Sequence, residues 1–399
     1  MTHHKYKPNI LINMKINRRP VSHVLTTACA ALTCGIASIL TTSCSSDSTT
    51  SDKTPVINLA ANHDTETSAP LKVADFNYTQ LSSDSTAAFF SKAKILDVVG
   101  DTVVLFEDNF QTSRLVMFNL NDGKYLGEIN HMGQGPGEYR RIFSAFIDRK
   151  NQSVIVPDFD RPVVNRYSLT DGSLISTTER EPIMMQIEPT GSAETCINVA
   201  VPGPEGLNIR QYDGNFAPTD SIDLPGFSGG NFSILWANAG EQGIFMVADT
   251  LYAVAPSTLQ PIAVLSRGEY TITPETDQEI MRRIMSSGES ELEILKPYML
   301  VRDIQMTGGK LLATTMHNGV KNSDIYDLSD GRLIYRNRYE ELQKPSSLTV
   351  QSPDNRTIIT DQLFGKDGVW YGIVSEENTD ASSDATPGST NCAIVSFKL

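Results

Sequence analysis

The sequence predicts an all-β chain: a six-bladed β-propeller closed by its own N-terminal strand, with one helical insert. Three observations carry this reading. Four stretches read alike, Leu115–Leu120, Val164–Leu169, Ser323–Leu328 and Ile394–Leu399. The first three are each followed by an Asp-Gly turn (Asp122-Gly123, Asp171-Gly172, Asp330-Gly331) and a returning apolar strand, which together make a β-hairpin. The fourth copy meets the end of the chain at Leu399 without a turn. A ring whose last sheet is completed by the N-terminal segment would end in this way.

Residues 1–43 are set aside as a targeting segment. They hold five basic residues (Lys5, Lys7, Lys15, Arg18, Arg19) and no acidic one, followed by an apolar run from Val21 to Leu40. Small residues then precede Cys44, as in a bacterial lipoprotein signal cleaved before an acylated cysteine, although Thr41 stands where leucine is usual. Met14 makes a more natural start than Met1. Residues 44–70 are rich in Ser, Thr, Asp, Asn and Ala, and their composition predicts a flexible lipid-anchored tether. Residues 71–399 remain for the propeller, enough for six blades of roughly 50 residues each.

The blades follow in order. Blade one takes Ala93–Val98, Thr102–Glu107, Arg114–Leu120 and Tyr125–Ile129; blade two takes Phe143–Ile147, Ser153–Val156, Val163–Leu169 and Leu174–Thr177. Blade three takes Ile183–Ile187, Thr195–Ala200, Asn208–Tyr212 and Asp220–Leu224, and blade four Phe232–Trp236, Gly243–Val247, Leu251–Val254 and Pro261–Leu265. Blade five takes Val301–Met306, Lys310–Thr315, Asp324–Leu328 and Arg332–Arg336. Blade six shows only Thr357–Thr360, Val369–Ser375 and Cys392–Lys398, so Lys72–Tyr78 is expected to supply its outer strand and remove two exposed edges. Equivalent aromatics recur at Phe118, Tyr167, Tyr212, Tyr252, Tyr326 and Phe397. The long interval after Tyr252 contains a capping box, Thr276–Glu279, that opens a helical insert between blades four and five.

Alternating strand direction puts the Asp-Gly turns on one face. The other face collects the unusual segments: His131–Arg141, Asp158–Arg161, Pro202–Gly206, the insert, His317–Asn322 and Glu376–Thr390. Function on a rigid scaffold concentrates in such loops, so this face and the channel mouth are the expected site. Its candidate ligand-binding residues are His131, Gly133, Gly135, Gly137, Glu138, Arg140, Arg141, Asp158, Arg161 and His317.

Gly133-Gln-Gly-Pro-Gly-Glu138 is the most distinctive segment. A dinucleotide fingerprint would need a strand before it and a helix after it, which this chain does not offer. Two roles remain open: a tight crossing between blades, or a set of free backbone N–H groups that hold a ligand together with Glu138, Arg140 and Arg141. This segment, the lipoprotein-like signal and the short repeated hairpins resemble the TolB-like six-bladed propeller lipoproteins of Bacteroidetes. That resemblance implies a six-bladed ring in the cell envelope, lipid-anchored through Cys44 and expected at the outer membrane. It brings no catalytic residue with it.

Other chemistry has little support. Beyond the signal only His63, His131 and His317 remain, with His63 in the tether, so a three-histidine metal site is not expected. No calcium loop, serine elbow or cofactor motif appears, and no cofactor is expected. Of 33 basic and 47 acidic side chains, the five basic ones of the signal are lost on cleavage, which leaves a formal charge near −19 and disfavours nucleic acid as a partner. Cys196 and Cys392 fall on opposite sides of the ring and are expected as buried thiols rather than a disulfide. Trp236, ending an inner strand, reads as packing between blades or as a sugar-stacking platform. The expected function is a non-enzymatic binding or scaffolding module for an envelope protein or glycan. The alternative is an envelope lyase or hydrolase acting on sugar polymers through channel carboxylates such as Glu138 and Asp158.

Overall fold

The computed structural model describes residues 54–82, 93–108, 112–142, 144–158, 160–180, 188–189, 197–202, 206–225, 234–239, 242–255, 258–340, 345–375 and 392–399. They form six separate sheets. Sheet one comprises Ala93–Val99, Thr102–Asp108, Ser113–Asn119 and Tyr125–Ile129; sheet two comprises Phe146–Asp148, Ser153–Pro157, Val163–Ser168 and Leu174–Glu179. Sheet three comprises Glu188–Pro189, Ile197–Pro202, Gly206–Tyr212 and Pro218–Pro225, and sheet four Ile234–Ala239, Gln242–Val247, Thr250–Ala255 and Thr258–Ser266. Sheet five comprises Leu300–Thr307, Lys310–His317, Val320–Asp327 and Leu333–Tyr339. Sheet six comprises Ser347–Gln351, Thr357–Lys366, Val369–Ser375 and Cys392–Lys398. Consecutive strands within each sheet pair antiparallel.

The core is divided among the junctions between sheets. Val104, Phe106 and Leu115 of sheet one meet Val154, Val156 and Tyr167 of sheet two. Phe146, Ile155 and Val164 of sheet two meet Tyr212 of sheet three, and Ile209 meets Phe245 and Val254 of sheet four. Met246 and Leu265 of sheet four pack with Ile304 and Leu311 of sheet five, whose Leu312 and Ile325 pack with Leu348 and Trp370 of sheet six. Phe364 and Ile394 of sheet six return to Val103 and Val116 of sheet one. Because both faces of each sheet are covered, the second strands are continuously buried rather than alternating, as in Val103–Phe106 and Val154–Val156.

The recurrent aromatics have a shared structural cause. At Phe118, Tyr167, Tyr212, Tyr252 and Tyr326 the pairing of the third with the fourth strand shifts register, and around Phe397 the same shift occurs against the added outer strand. A bulge there increases the twist of the outer strand, which sheets packed around a ring require. The Asp-Gly turns recur for a second reason. In all three the aspartate carboxylate accepts the N–H two residues on, at 2.9–3.1 Å. Their glycines take φ near +70° and sit against the preceding sheet: Gly123 on Gln80, Gly172 on Glu128 and Gly331 on Val56.

The N-terminal segment departs from expectation. Residues 44–70 were expected to be a tether, but Val56–Asn58 adds a fifth strand, in parallel, to Thr258–Ser266 of sheet four. A short helix, Leu59–Asn62, follows, and Ile57 and Leu59 are buried with sheets four and five. Leu71–Lys72 then lies parallel to Ser347–Gln351, and Ala74–Gln80 pairs antiparallel with Cys392–Lys398. The composition of the whole window conceals the cluster Val56, Ile57 and Leu59, and strand addition satisfies the backbone without further apolar residues. The outer strand on sheet six lies two residues later than the expected Lys72–Tyr78.

Smaller differences have local causes. Ser347–Gln351 was not anticipated; it pairs with the first half of Thr357–Lys366, whose second half pairs with Val369–Ser375 across a bulge at Asp361–Phe364. His317–Asn322, expected as a functional loop, is a two-residue hairpin turn with Asn318 at φ 49° and Gly319 at φ 80°. The insert is a helix over Pro274–Ser286 followed by Glu291–Leu295. Its cap is Thr273, which accepts from Thr276 N–H, so the helix begins a turn before the expected box and Pro274 occupies its first position. Cys392 is half-buried. The expected strand Ile183–Ile187, the loop Glu376–Thr390, Phe143, Cys196, the Trp236 side chain and Cys44 lie outside the described residues.

Gly331→Ala and Gly319→Ala separate backbone strain from contact with the N-terminal segment. Both glycines have positive φ, but a Cβ at Gly319 meets nothing while one at Gly331 meets the Val56 backbone. Urea melts are expected to show Gly331→Ala costing at least about 1 kcal/mol more than Gly319→Ala. Equal costs would show that the turn does not bear on Val56.

Candidate functional site

The glycine-rich segment links the outer strand of sheet one to the first strand of sheet two, and the fold takes up its polar atoms. It closes on itself, with Gly133 N–H donating to Tyr139 O and Tyr139 N–H to His131 O, both at 2.9 Å. Gly135 N–H donates to the Glu138 carboxylate at 2.6 Å, and that carboxylate fills the space a side chain at Gly133 would need. Sheet two holds the carbonyls: Tyr167 Oη donates to Gly137 O at 2.8 Å, Asn165 Nδ2 to Glu138 O at 3.1 Å, and Arg161 to both Gly135 O and Glu138 O. Tyr139 is wholly buried, and its hydroxyl donates to Ser113 O at 2.9 Å.

The remaining candidates divide into four places. Asp158, fully buried, pairs with Arg161 Nε at 2.7 Å and accepts from Arg140 N–H at 3.2 Å, so Gly133, Gly135, Gly137, Glu138, Arg140, Asp158 and Arg161 form one connected group. Arg141 turns away to Asp108 at 2.7 Å. His131 stacks on Tyr167 with ring centroids 5.0 Å apart and reaches Gly172 O at 2.9 Å, at the edge of sheets one and two. His317 is not in this group. It packs edge-on against His63 at 4.7 Å and against Tyr270 at 4.2 Å, and burial lowers the pKa of both histidines. His131 and His317, both expected on the loop-rich face, therefore have different neighbours. Among the described residues no group of three or more His, Cys, Asp or Glu side chains could hold a metal ion.

A second constellation lies on sheets five, six and one, at the end of the strands opposite the Asp-Gly turns. The first strands there bulge at Val301–Asp303 and Ile95–Asp97, and the long strand of sheet six bulges at Asp361–Phe364. Bulges re-aim side chains, and three of them on neighbouring sheets gather Lys94, Asp303 and Asp361 near Lys321 and Tyr339. Asp303 Oδ2 accepts from Ser346 Oγ at 2.8 Å, and Ser346 accepts from Thr314 Oγ1 at 2.7 Å. Ser323 lies 3.3 Å from Thr314 and 3.0 Å from the Tyr339 hydroxyl, which donates to Pro345 O at 3.1 Å. Lys321 Nζ sits 5.7 Å over the Tyr339 ring.

Asp303 differs from four other recessed aspartates. Asp97 is bound by Arg149 at 2.7 Å, Asp148 by Arg166 at 2.5 Å, Asp158 by Arg161 at 2.7 Å and Asp324 by Arg336 at 2.5 Å. Asp303 forms no ion pair within 4.0 Å among the described residues; its donors are the Ser346 hydroxyl, the Ile304 backbone N–H and, at 3.5 Å, the Gln305 amide. Burial raises its pKa against the pull of those donors and of Lys94. Burial also lowers the Lys321 pKa, opposed by Asp303 and Asp361, and pushes the Tyr339 hydroxyl up to about 12. Gln305 Oε1 is buried and accepts no hydrogen bond among the described residues. Sequence reasoning missed this site because nothing local marks it; its signal is an aspartate without an arginine, visible only once the sheets are assembled.

A model of the DUF5128 family, described as a 6-bladed beta-propeller, matches residues 45–190. A solved structure of a protein described as exported, from Bacteroides fragilis, is similar at TM-score 0.58 and 14% identity, covering 82% of this chain and 98% of that one. A member of the DUF4221 family from Bacteroides vulgatus is similar at TM-score 0.51 and 11% identity, covering 82% and 97%. The chain is a β-propeller. No curated protein matches it in sequence. At these identities the propeller relatives share the fold alone, so the site must be argued from its own residues.

Asp303→Asn tests whether the unpaired carboxylate costs stability. Its raised pKa means that the folded protein holds the proton more tightly than the unfolded chain. Stability should therefore fall as pH rises from the unfolded value through the folded one. The variant is expected to melt about 1–3 °C above the parent near pH 7, with the gap closing as pH falls toward about 4. A variant less stable than the parent near pH 7 would show that the charge is compensated in the fold.

Proposed function

We propose that this protein is an exported binding propeller whose ligand site is the channel mouth bounded by sheets five, six and one. The observation that carries the reading is Asp303, a recessed carboxylate that forms no ion pair among the described residues, where Asp97, Asp148, Asp158 and Asp324 are each bound by an arginine. A recessed acid without an ion pair costs stability, and such groups mark sites where a ligand supplies what the fold withholds. The finer architecture belongs to this proposal: a six-bladed ring closed by Ala74–Gln80 on sheet six, with the helical insert rising between sheets four and five. So does the setting. The lipoprotein-like sequence before Cys44, and the neighbour described as exported, support an envelope location with the propeller tethered by lipid at the outer membrane. No helix among the described residues is long and apolar enough to cross a membrane.

Glu138 and Asp158, the carboxylates of the enzymatic alternative, are engaged with Arg161 and with backbone atoms at the junction of sheets one and two. This supports the reading of Gly133–Arg141 as a wedge that sets the spacing of those sheets. The full-length chain, immobilised and exposed to detergent-solubilised envelope, is expected to retain envelope material that Asp303→Asn does not, with both forms melting cooperatively. Retention of the same material by both would remove the channel mouth as the site.

A further inference from the structure

Three places could hold more than the fold requires: the His63–His317 contact, the exposed apolar edge of sheets one and two, and the channel mouth. We propose that the channel mouth recognises an uncharged, hydroxyl-rich ligand, a carbohydrate chain, through hydroxyl groups donated to Asp303 and Gln305. The inference rests on the binding reading above and adds the ligand's chemistry.

Two acceptors at the mouth, the Asp303 carboxylate and Gln305 Oε1, have unused capacity among the described residues. A carboxylate offers about four lone-pair positions, and Asp303 uses three, on the Ser346 hydroxyl, the Ile304 N–H and a Gln305 contact at the 3.5 Å limit. Gln305 Oε1 is buried and accepts nothing among the described residues. A ligand that completes this lining must bring O–H or N–H groups, since an added acceptor would leave the same atoms unsatisfied.

Charge narrows the class. Asp303 and Asp361 are set against Lys94 and Lys321, with Arg302 also acting on Lys321. An anionic ligand would meet two carboxylates and a cationic one would meet the lysines and Arg302, so neither sign gains a field of its own. A sugar hydroxyl suits such a balanced lining because it donates to a carboxylate while accepting from an ammonium group.

The position of the apolar surface separates a glycan from a protein. Protein interfaces are anchored by buried apolar and aromatic side chains. Among the described residues the exposed large apolar ones are Val56, Leu126, Met132, Leu174, Ile175, Met285, Leu292 and Leu399. They lie on the N-terminal segment, the outer strands, the crossing after sheet one, the insert and the C-terminus. None of these described residues is on a first strand. The lining is also fixed in advance, because Ser346 and the Tyr339 hydroxyl are each held by protein hydrogen bonds, which reduces the entropy lost on binding.

The test is an array of neutral oligosaccharides printed beside uronic-acid, sulfated and free-amine oligosaccharides, probed with the full-length chain, Asp303→Asn and Gln305→Leu. Binding is expected on neutral glycans and should weaken about ten- to a hundred-fold in Asp303→Asn. Gln305→Leu, which leaves the charge in place, is expected to weaken it as well. Binding confined to acidic or amine glycans, or equal binding by all three proteins, would overturn the proposal. Binding to no printed glycan would overturn the carbohydrate class. In that case, envelope material still retained by the parent and lost from Asp303→Asn would leave the binding reading standing.

Discussion

The pairing of Ala74–Gln80 with Cys392–Lys398 is the contact on which the rest of the structure depends. Each sheet buries its faces only against its two neighbours, so its stability is borrowed from the next sheet around. A ring of this kind has no independent core to fall back on. The N-terminal segment secures it twice more, as a fifth strand on sheet four and through the hydrogen bond of Arg336 to Thr65 beside sheet five. The same arginine pairs with buried Asp324, so one ion pair connects the N-terminal segment to the body of a sheet.

Ion pairs within and between sheets follow the same logic. Asp97 of sheet one accepts both Arg149 of sheet two and Lys366 of sheet six, and Arg267 beside sheet four binds Asp249 and the Met299 carbonyl leading into sheet five. Such pairs gain little net free energy once desolvation is counted, but a buried guanidinium with a fixed fork sets the spacing of what it joins. Against that background Asp303 is conspicuous. A rigid scaffold can hold an unpaired carboxylate in place because its neighbours, bound elsewhere, do not move to neutralise it.

Much of this was legible in the chain as a repeating pattern. The aromatic series from Phe118 to Phe397 marked the third strand of sheets one to five and the fourth of sheet six because each sheet needs the same twist there. The Asp-Gly turns could be read because only glycine lets the turn lie against the sheet before it. What repetition could not show is what occurs once. Val56–Asn58 joins a sheet two hundred residues away and matches no repeat, and Ser347–Gln351 pairs with a strand that bends in mid-course. The site was hidden for a related reason. Gly133–Glu138 attracts notice because its glycines are adjacent in sequence, yet its polar atoms are taken up at a sheet junction. Asp303 looks ordinary in the chain and becomes unusual only beside Lys94, Lys321 and Asp361, which converge from three sheets.

The account stands on the state of that one carboxylate, and its titration tests it most directly. The side-chain carbon of Asp303, labelled with carbon-13 and followed by NMR in the full-length protein with Asp303→Asn as the assignment control, is predicted to titrate above the ordinary aspartate value of 3.8. A midpoint at or below that value would mean that the fold already compensates the charge, and would remove the reason to place a ligand there.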